Sequence, residues 1–143
     1  MLKAIAVLFL GLSCNAYACK LPYIEYEPVF EVGKSVLSGS EVKRMALWHS
    51  DTRRAFPAGF RVDIVVWQNS YAGISPSLAQ DRSEHLRTLL RNLGVQQDDI
   101  VEAEIRRNTM RLSKPGADAL FNRAELHLSP RCPHACCDLG DLR

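Results

Sequence analysis

Beyond residue 18 the chain lacks any apolar run approaching the ~20 residues that span a bilayer, so no later segment reads as a membrane helix. It has no glycine-rich phosphate loop and no zinc-protease signature, which argues against those enzyme classes. Its four histidines, His49, His85, His127 and His134, are scattered. No nucleophile stands with a base and an orienting acid, so catalysis is not expected. There is no internal repeat, coiled-coil heptad run or low-complexity tract. Net charge is nearly absent as well: the formal +2 falls to +1 once Lys3, the only charged residue of the leader, is removed. An exported chain of near-neutral charge is a poor match for nucleic acid.

What is present begins with an export signal. Lys3 supplies a positive n-region, Ala4 to Leu12 an apolar h-region, and Ala16-Tyr17-Ala18 a small-x-small cleavage pattern, so residues 1–18 are read as a secretory signal. The mature chain is expected in the periplasm of a Gram-negative bacterium, with outer-membrane association left open. Cys14 leaves with the leader, and Cys19, Cys132, Cys136 and Cys137 remain. An even count in an oxidising compartment favours two disulfides. Adjacent Cys136 and Cys137 would be strained as a pair, so one is expected to join Cys132 and the other Cys19, with the assignment open. Two other readings stand beside this one: acylation of Cys19 as a lipoprotein, and zinc held by Cys132, His134, Cys136 and Cys137. The favoured expectation is disulfides, with no metal and no cofactor.

At 143 residues the chain is one domain with appendages. Lys20 to Glu27 reads as an extended lead-in and Val29 to Val32 as a short strand. Ser38-x-x-Glu41 forms a capping box, with Leu37 and Val42 as a hydrophobic staple, and opens a helix that ends before Pro57. Arg61 to Trp67 is the best strand, with Val62, Ile64 and Val66 on one face and Asp63, Val65 and Trp67 on the other. A loop with Gly73 and Pro76 leads to a second helix whose apolar set is Leu78, Leu86, Leu89, Leu90 and Leu93, closed by Gly94. Val101, Ala103 and Ile105 suggest a third strand, followed by a basic loop with Arg106, Arg107, Arg111 and Lys114. A short helix near Gly116 to Phe121 and a strand with Ala124, Leu126 and Leu128 complete the chain. The order implies an α+β fold, two main helices packed on one face of a mixed four-stranded sheet.

One residue breaks the second helix's pattern. Spacing i, i+4, i+8 puts Leu78, Arg82 and Leu86 on one face. A guanidinium keeps its charge and presents a planar fork suited to carboxylates. Arg82 therefore marks either a buried structural pair, with Asp63 or Glu125 as the acid, or an anion-binding site. Asn69 reads as a turn residue able to adopt left-handed geometry or as a ligand contact. The basic loop reads as solvated or as an anion or partner contact.

The order of elements, with its residues, resembles the OmpA-like peptidoglycan-binding domain, shared with peptidoglycan-associated lipoproteins and the flagellar motor's stator protein. Phe30-x-x-x-x-Ser35-x-Leu37 is similar to that family's first strand and helix cap. Val62-Asp63-Ile64-Val65-Val66-Trp67-Gln68-Asn69-Ser70 is similar to the strand that runs into its glycine, histidine, threonine, aspartate turn. Leu78-Ala79-Gln80-Asp81-Arg82-Ser83 and Leu93-Gly94-Val95 match its second helix, and Asn122-Arg123-Ala124-Glu125-Leu126 its closing strand, with one arginine replaced. The resemblance covers about residues 28–130, leaving a lead-in at 19–27 and a cysteine-rich tail at 131–143. It implies a two-layer βαβαβ(α)β sandwich.

In that family an aspartate and an arginine grip the ammonium and carboxylate of the diaminopimelate in peptidoglycan stem peptides. The resemblance places the arginine at Arg82 and puts Asn69 where the aspartate stands, with Gln68 and Ser70 flanking it. The loop from Asn69 to Leu78 is shorter than the family's, and the glycine-rich segment after the third strand gives way to Arg106, Arg107, Arg111 and Lys114. Asparagine accepts a hydrogen bond but brings no charge, and a neutral contact is about half as strong as a charge-assisted one. Asp81 projects about 100° away from Arg82 around a helix and is a poor substitute. Two functions follow as expectations. One is non-covalent peptidoglycan binding, or cell-envelope anchoring, weakened by loss of the aspartate. The other is a non-catalytic protein-interaction module of a secretion, conjugation or pilus assembly.

Overall fold

The computed structural model describes residues 21, 24–101, 103–111, 118–134 and 136–137. The expected leader, Cys14, Cys19, Lys114 and residues 138–143 of the tail lie outside them. The element order is β1 (Glu25–Tyr26), α1 (Gly39–Ala55), β2 (Phe60–Gln68), α2 (Pro76–Asn92), β3 (Glu104–Arg107), α3 (Asp118–Phe121) and β4 (Ala124–Pro130). Single 3-10 turns stand at Ser70–Ala72 and Gln97–Asp99.

β2 organises the sheet. It pairs antiparallel with β4, from Phe60↔Pro130 to Val66↔Ala124, and parallel with β3, from Val65↔Glu104 to Gln68↔Arg107. β1 closes the far edge on β4, giving the order β1-β4-β2-β3. This is the mixed four-stranded α+β sheet that the alternation of strands and helices implied. Alternate residues of β2 and β4, Val62, Ile64, Val66, Ala124, Leu126 and Leu128, are buried in one core with Met45 and Trp48 of α1 and Ala79, Leu86 and Leu90 of α2. The period of two along the strands and the 3.6-residue period along the helices bring these faces together.

Three boundaries differ from the sequence reading. The first strand is Glu25–Tyr26, inside the expected lead-in, paired to His127 and Leu126. Val29 to Val32 makes only isolated bridges, Val29↔Arg123 and Phe30↔Leu37. The chain turns there: Lys34 N–H donates to the Glu31 carbonyl at 3.0 Å, and Gly33 takes the left-handed φ of 72° that favours glycine. Pro76, read as a loop residue, is the first residue of α2, where its missing N–H is no loss, and Ser75 caps the helix by accepting from Leu78 N–H at 3.1 Å. Arg106 and Arg107, assigned to a loop, end β3. Among the described residues no helix is long and apolar enough to cross a membrane.

Half of the expected capping box forms. Ser38 Oγ accepts from Glu41 N–H at 3.3 Å, while the Glu41 carboxylate turns away to the N-terminal segment. Its Oε1 accepts from Tyr26 Oη at 2.8 Å, from Val29 N–H at 3.2 Å and from Arg44 Nη2 at 2.6 Å. Arg44 also donates to Tyr26 Oη at 3.1 Å and to the Glu27 carbonyl at 3.1 Å. Burial, and then the bond to Glu41, push the Tyr26 hydroxyl up to about 12, so it remains a donor. The Tyr26 ring stacks on Trp48 at 4.9 Å. This clasp, more than the two-residue strand, holds β1 against α1. Glu41→Ala leaves those donors without their acceptor and is expected to destabilise the fold by about 2 kcal/mol. Urea unfolding checks this, and a loss within a few tenths of a kcal/mol would remove the clasp from the account.

Candidate functional site

The second turn of α2 carries Arg82 into the core stripe, where it is 1% exposed. Neither expected acid is its partner. Nε donates to the Lys34 carbonyl at 2.8 Å, and Nη2 to the Glu31 carbonyl at 3.3 Å and to Asn122 Oδ1 at 2.8 Å. The guanidinium lies 4.7 Å from the Phe30 ring centroid, where the electron-rich face supplements the three acceptors. Burial lowers its pKa to about 10, which leaves it charged at neutral pH. Among the described residues no carboxylate approaches it, and its Nη1 donors have no acceptor. Glu125 is engaged elsewhere, by Trp67 Nε1 at 3.2 Å, His127 at 3.2 Å and Arg106 at 3.8 Å. The buried pair with Asp63 or Glu125 is therefore corrected to a cation held by carbonyls, an amide and a ring.

Asn69 stands at the end of β2, 1% exposed. It caps the following 3-10 turn: its Oδ1 accepts from Tyr71 N–H at 2.9 Å and Ala72 N–H at 3.2 Å. Its Nδ2 donates to the Met110 carbonyl at 3.2 Å. The left-handed geometry expected of Asn69 is absent, since its φ is −150°, and falls instead on Gly73, at 71°. Main-chain bonds between Asn69 and Ile74, 3.1 and 2.9 Å, close the short turn before α2. Both ends of the Asn69 amide thus serve the chain itself. Gln68 is half-buried, with its carbonyl accepting from Asn108 N–H at 2.8 Å, and Ser70 is exposed.

The basic residues do not form one cluster. Arg106 pairs with Glu104 at 3.0 Å and lies 5.9 Å over the Trp67 ring. Arg107 is exposed at the end of β3. Arg111 stacks 5.3 Å over the Tyr71 ring. Because Asn69 holds both Tyr71 N–H and the Met110 carbonyl, it seats the two halves of that stack. In the tail Cys132 and Cys137 are joined by a disulfide, and Cys136 is likewise disulfide-bonded. The ligand atoms of Cys132, His134 and Cys137 come within 4.8 Å of one another, but two of them are bonded sulfurs and offer no thiolate for zinc.

Asn122 and Phe30 are the partners that sequence reasoning did not assign to Arg82. Both lie in the motifs that placed the strands, and neither carries a mark that tells a structural asparagine or ring from one facing a charge. His85, one of the scattered histidines, lies one turn beyond Arg82. Its Nε2 accepts from Leu37 N–H at 3.2 Å, which assigns a neutral ring with the proton on Nδ1.

The class is now defined by architecture: the chain has the OmpA-like fold, a mixed four-stranded sheet with its main helices on one face. The Burkholderia pseudomallei peptidoglycan-associated lipoprotein aligns at 16% identity over 72% of this chain and 89% of its own, with a TM-score of 0.52. The C-terminal domain of Helicobacter pylori MotB aligns at 12% identity over 82% and 88%, with a TM-score of 0.54. The OmpA-like domain of FopA1 from Francisella tularensis aligns at 14% identity over 74% and 72%, with a TM-score of 0.52. At these identities the likeness is one of fold. No family model and no curated protein matches the chain.

Burial lowers the pKa of His85, and burial followed by the charge of Arg53 lowers that of His49, both from 6.5. The unfolded chain then binds these protons first as pH falls. Stability present above about pH 6.5 is expected to drop as pH falls from there through the lower folded-state values. Melting temperatures measured between about pH 7.5 and about pH 5 test this. A His85→Gln variant should show a shallower dependence, and an unchanged one would exclude His85 as a contributor.

Proposed function

We propose that this chain is an exported, non-catalytic envelope module that attaches non-covalently to peptidoglycan, with Arg82 receiving a stem-peptide carboxylate. The observation that carries the reading is the state of Arg82, a buried cation with no carboxylate near it and with Nη1 lacking an acceptor among the described residues. A charge taken out of water is costly unless paired, and an incoming carboxylate can accept from the Nη1 donors that the bonds of Nε and Nη2 leave unused. The name of the Burkholderia relative, a peptidoglycan-associated lipoprotein, supports the same ligand by analogy of fold.

Attachment of this kind is weak. The Asn69 amide is occupied by Tyr71, Ala72 and Met110, so the ammonium of a zwitterionic ligand has no charged partner there. That occupation also favours the second reading, a protein-interaction module in which exposed Tyr71 and Met110, with Arg111 stacked on Tyr71, meet a partner in an envelope assembly. The expected periplasmic location and the joining of Cys19 to Cys136 belong to the same proposal.

Co-sedimentation of the oxidised mature protein with diaminopimelate-containing sacculi tests it. Wild type should pellet, free diaminopimelate should compete, and Arg82→Lys, which keeps the charge but loses the fork, should weaken binding by about tenfold. Asn69→Asp keeps the cap acceptor, adds a charge and should strengthen binding. A folded protein that does not pellet, and that Asn69→Asp does not rescue, would replace this reading with the protein-interaction module.

A further inference from the structure

At the end of the sheet remote from Asn69 lies a cavity of about 350 Å3. β2 separates the two places, running from Phe60 at the cavity to Gln68 beside Asn69, a span on the order of 25 Å. The last turns of α1 contribute His49 and Arg53 to the walls, the turn after it Phe56, β2 its first residue Phe60, and the segment after α2 Val95 and Asp99. A second hollow, lined by Ser50 and Arg54, shares His49 and Arg53 with it.

His49 is 5% exposed, and its ring nitrogens have no hydrogen-bond partner among the described residues. No side-chain nitrogen or oxygen among those residues is both sealed and unpartnered, so these nitrogens reach the space their residue lines. The edge-to-face contact with Phe60, 5.9 Å between centroids at 77°, orients the ring. A buried imidazole with no partner leaves a donor and an acceptor to be used by something else.

Charge indicates what that something carries. Arg54 pairs with Asp51, and Asp99 pairs with Arg131. Arg53 is exposed and has no carboxylate within reach among the described residues, so one positive charge stands in excess at the cavity. The carbonyl ends of α1 and α2 both point this way, each equivalent to about half a negative charge. These partial charges offset the excess and oppose a dianion such as phosphate more than a single negative charge held directly on the Arg53 guanidinium. The remaining wall joins Gln96 to an apolar side of Phe56, Phe60 and Val95, each less than a tenth exposed. The volume falls within the few hundred Å3 typical of small-ligand sites.

We propose that this cavity binds a monocarboxylate with an apolar body, its carboxylate on the Arg53 guanidinium, its body against Phe56, Phe60 and Val95, and its remaining polar atom on the His49 ring. Two sources share that chemistry, a free organic acid and the carboxyl end of a polypeptide whose last residue is apolar. The site is independent of Arg82 and of peptidoglycan.

NMR titration of the oxidised mature protein tests it, following the His49 ring and the Gly59 and Gly94 amides. The probes are phenylacetate, acetyl-Ala-Ala-Phe with a free carboxylate, the same peptide as its amide, and inorganic phosphate. A carboxylate probe should give saturable shifts and raise the His49 pKa. That rise is read with the charges that face the ring, Arg53 and Arg54 of α1 and the Asp99–Arg131 pair across the cavity, otherwise unaltered. The amide and phosphate should bind at least about tenfold more weakly. Whichever of phenylacetate and the free peptide binds more tightly identifies the source. Arg53→Gln, a surface change, should lose about tenfold in affinity with a folded spectrum, and Arg53→Lys should recover part of it. The absence of saturable shifts from either carboxylate, or equal binding by Arg53→Gln, overturns the proposal.

Discussion

A positive charge inside an apolar stripe is the constraint to which one end of this fold answers. Arg82 sits among Ala79, Leu86 and Leu90 on the face of α2 that meets the sheet, and the chain surrounds it with neutral acceptors. The turn at 31–34 exists in a form that aims two carbonyls at the guanidinium, Phe30 lies under it, and Asn122 reaches it from the start of β4. These groups come from two stretches far from Arg82 in sequence, so the ion ties the first loop, the second helix and the approach to the last strand together. Carbonyl and amide oxygens can stabilise a guanidinium without neutralising it. The surround leaves Nη1 without an acceptor and the charge without a counter-ion among the described residues.

Asn69 solves a different problem with a similar economy of parts. A short turn between β2 and α2 leaves buried N–H groups at its start, and a side-chain oxygen at the cap position satisfies two of them. The nitrogen of the same amide holds the segment after β3. An aspartate could serve the cap equally well but would meet the Met110 carbonyl with a second oxygen. One neutral amide thus fastens Tyr71 and Met110, and through them Arg111, in place.

The long elements were legible because periodicity repeats along them. β2 shows its alternation over Val62, Ile64 and Val66, and α2 its stripe over Leu78, Leu86 and Leu90, with Arg82 conspicuous within it. β1 was not legible, because a two-residue strand has no period, and its stability comes from Glu41 and Arg44 on another element. Val29 to Val32 looked like a strand because valine and phenylalanine suit strands, yet Gly33 ends it. The partners of Arg82 were illegible for a plainer reason. Two of them are backbone carbonyls, which every residue possesses, lying 48 and 51 positions away in the chain. The His49 cavity was hidden likewise, since His49 is a residue of the α1 core face until a gap beside it is seen.

The clasp around Glu41 has a mechanical side. β1 lies at the edge of the sheet, antiparallel to β4, with Glu25 and Tyr26 paired and further main-chain bonds from Leu128 N–H to the Ile24 carbonyl at 2.7 Å and from Ala124 N–H to the Pro28 carbonyl at 3.0 Å. A pull on the chain ahead of Glu25 meets these few rungs first. It passes to the Tyr26 ring stacked on Trp48 and to the carboxylate shared by Tyr26, Val29 and Arg44. Those bonds lie in one small volume and bear the load together, where a ladder peeled from its end would yield one rung at a time. The clasp thus couples the edge strand to α1 and the core beneath it through side chains.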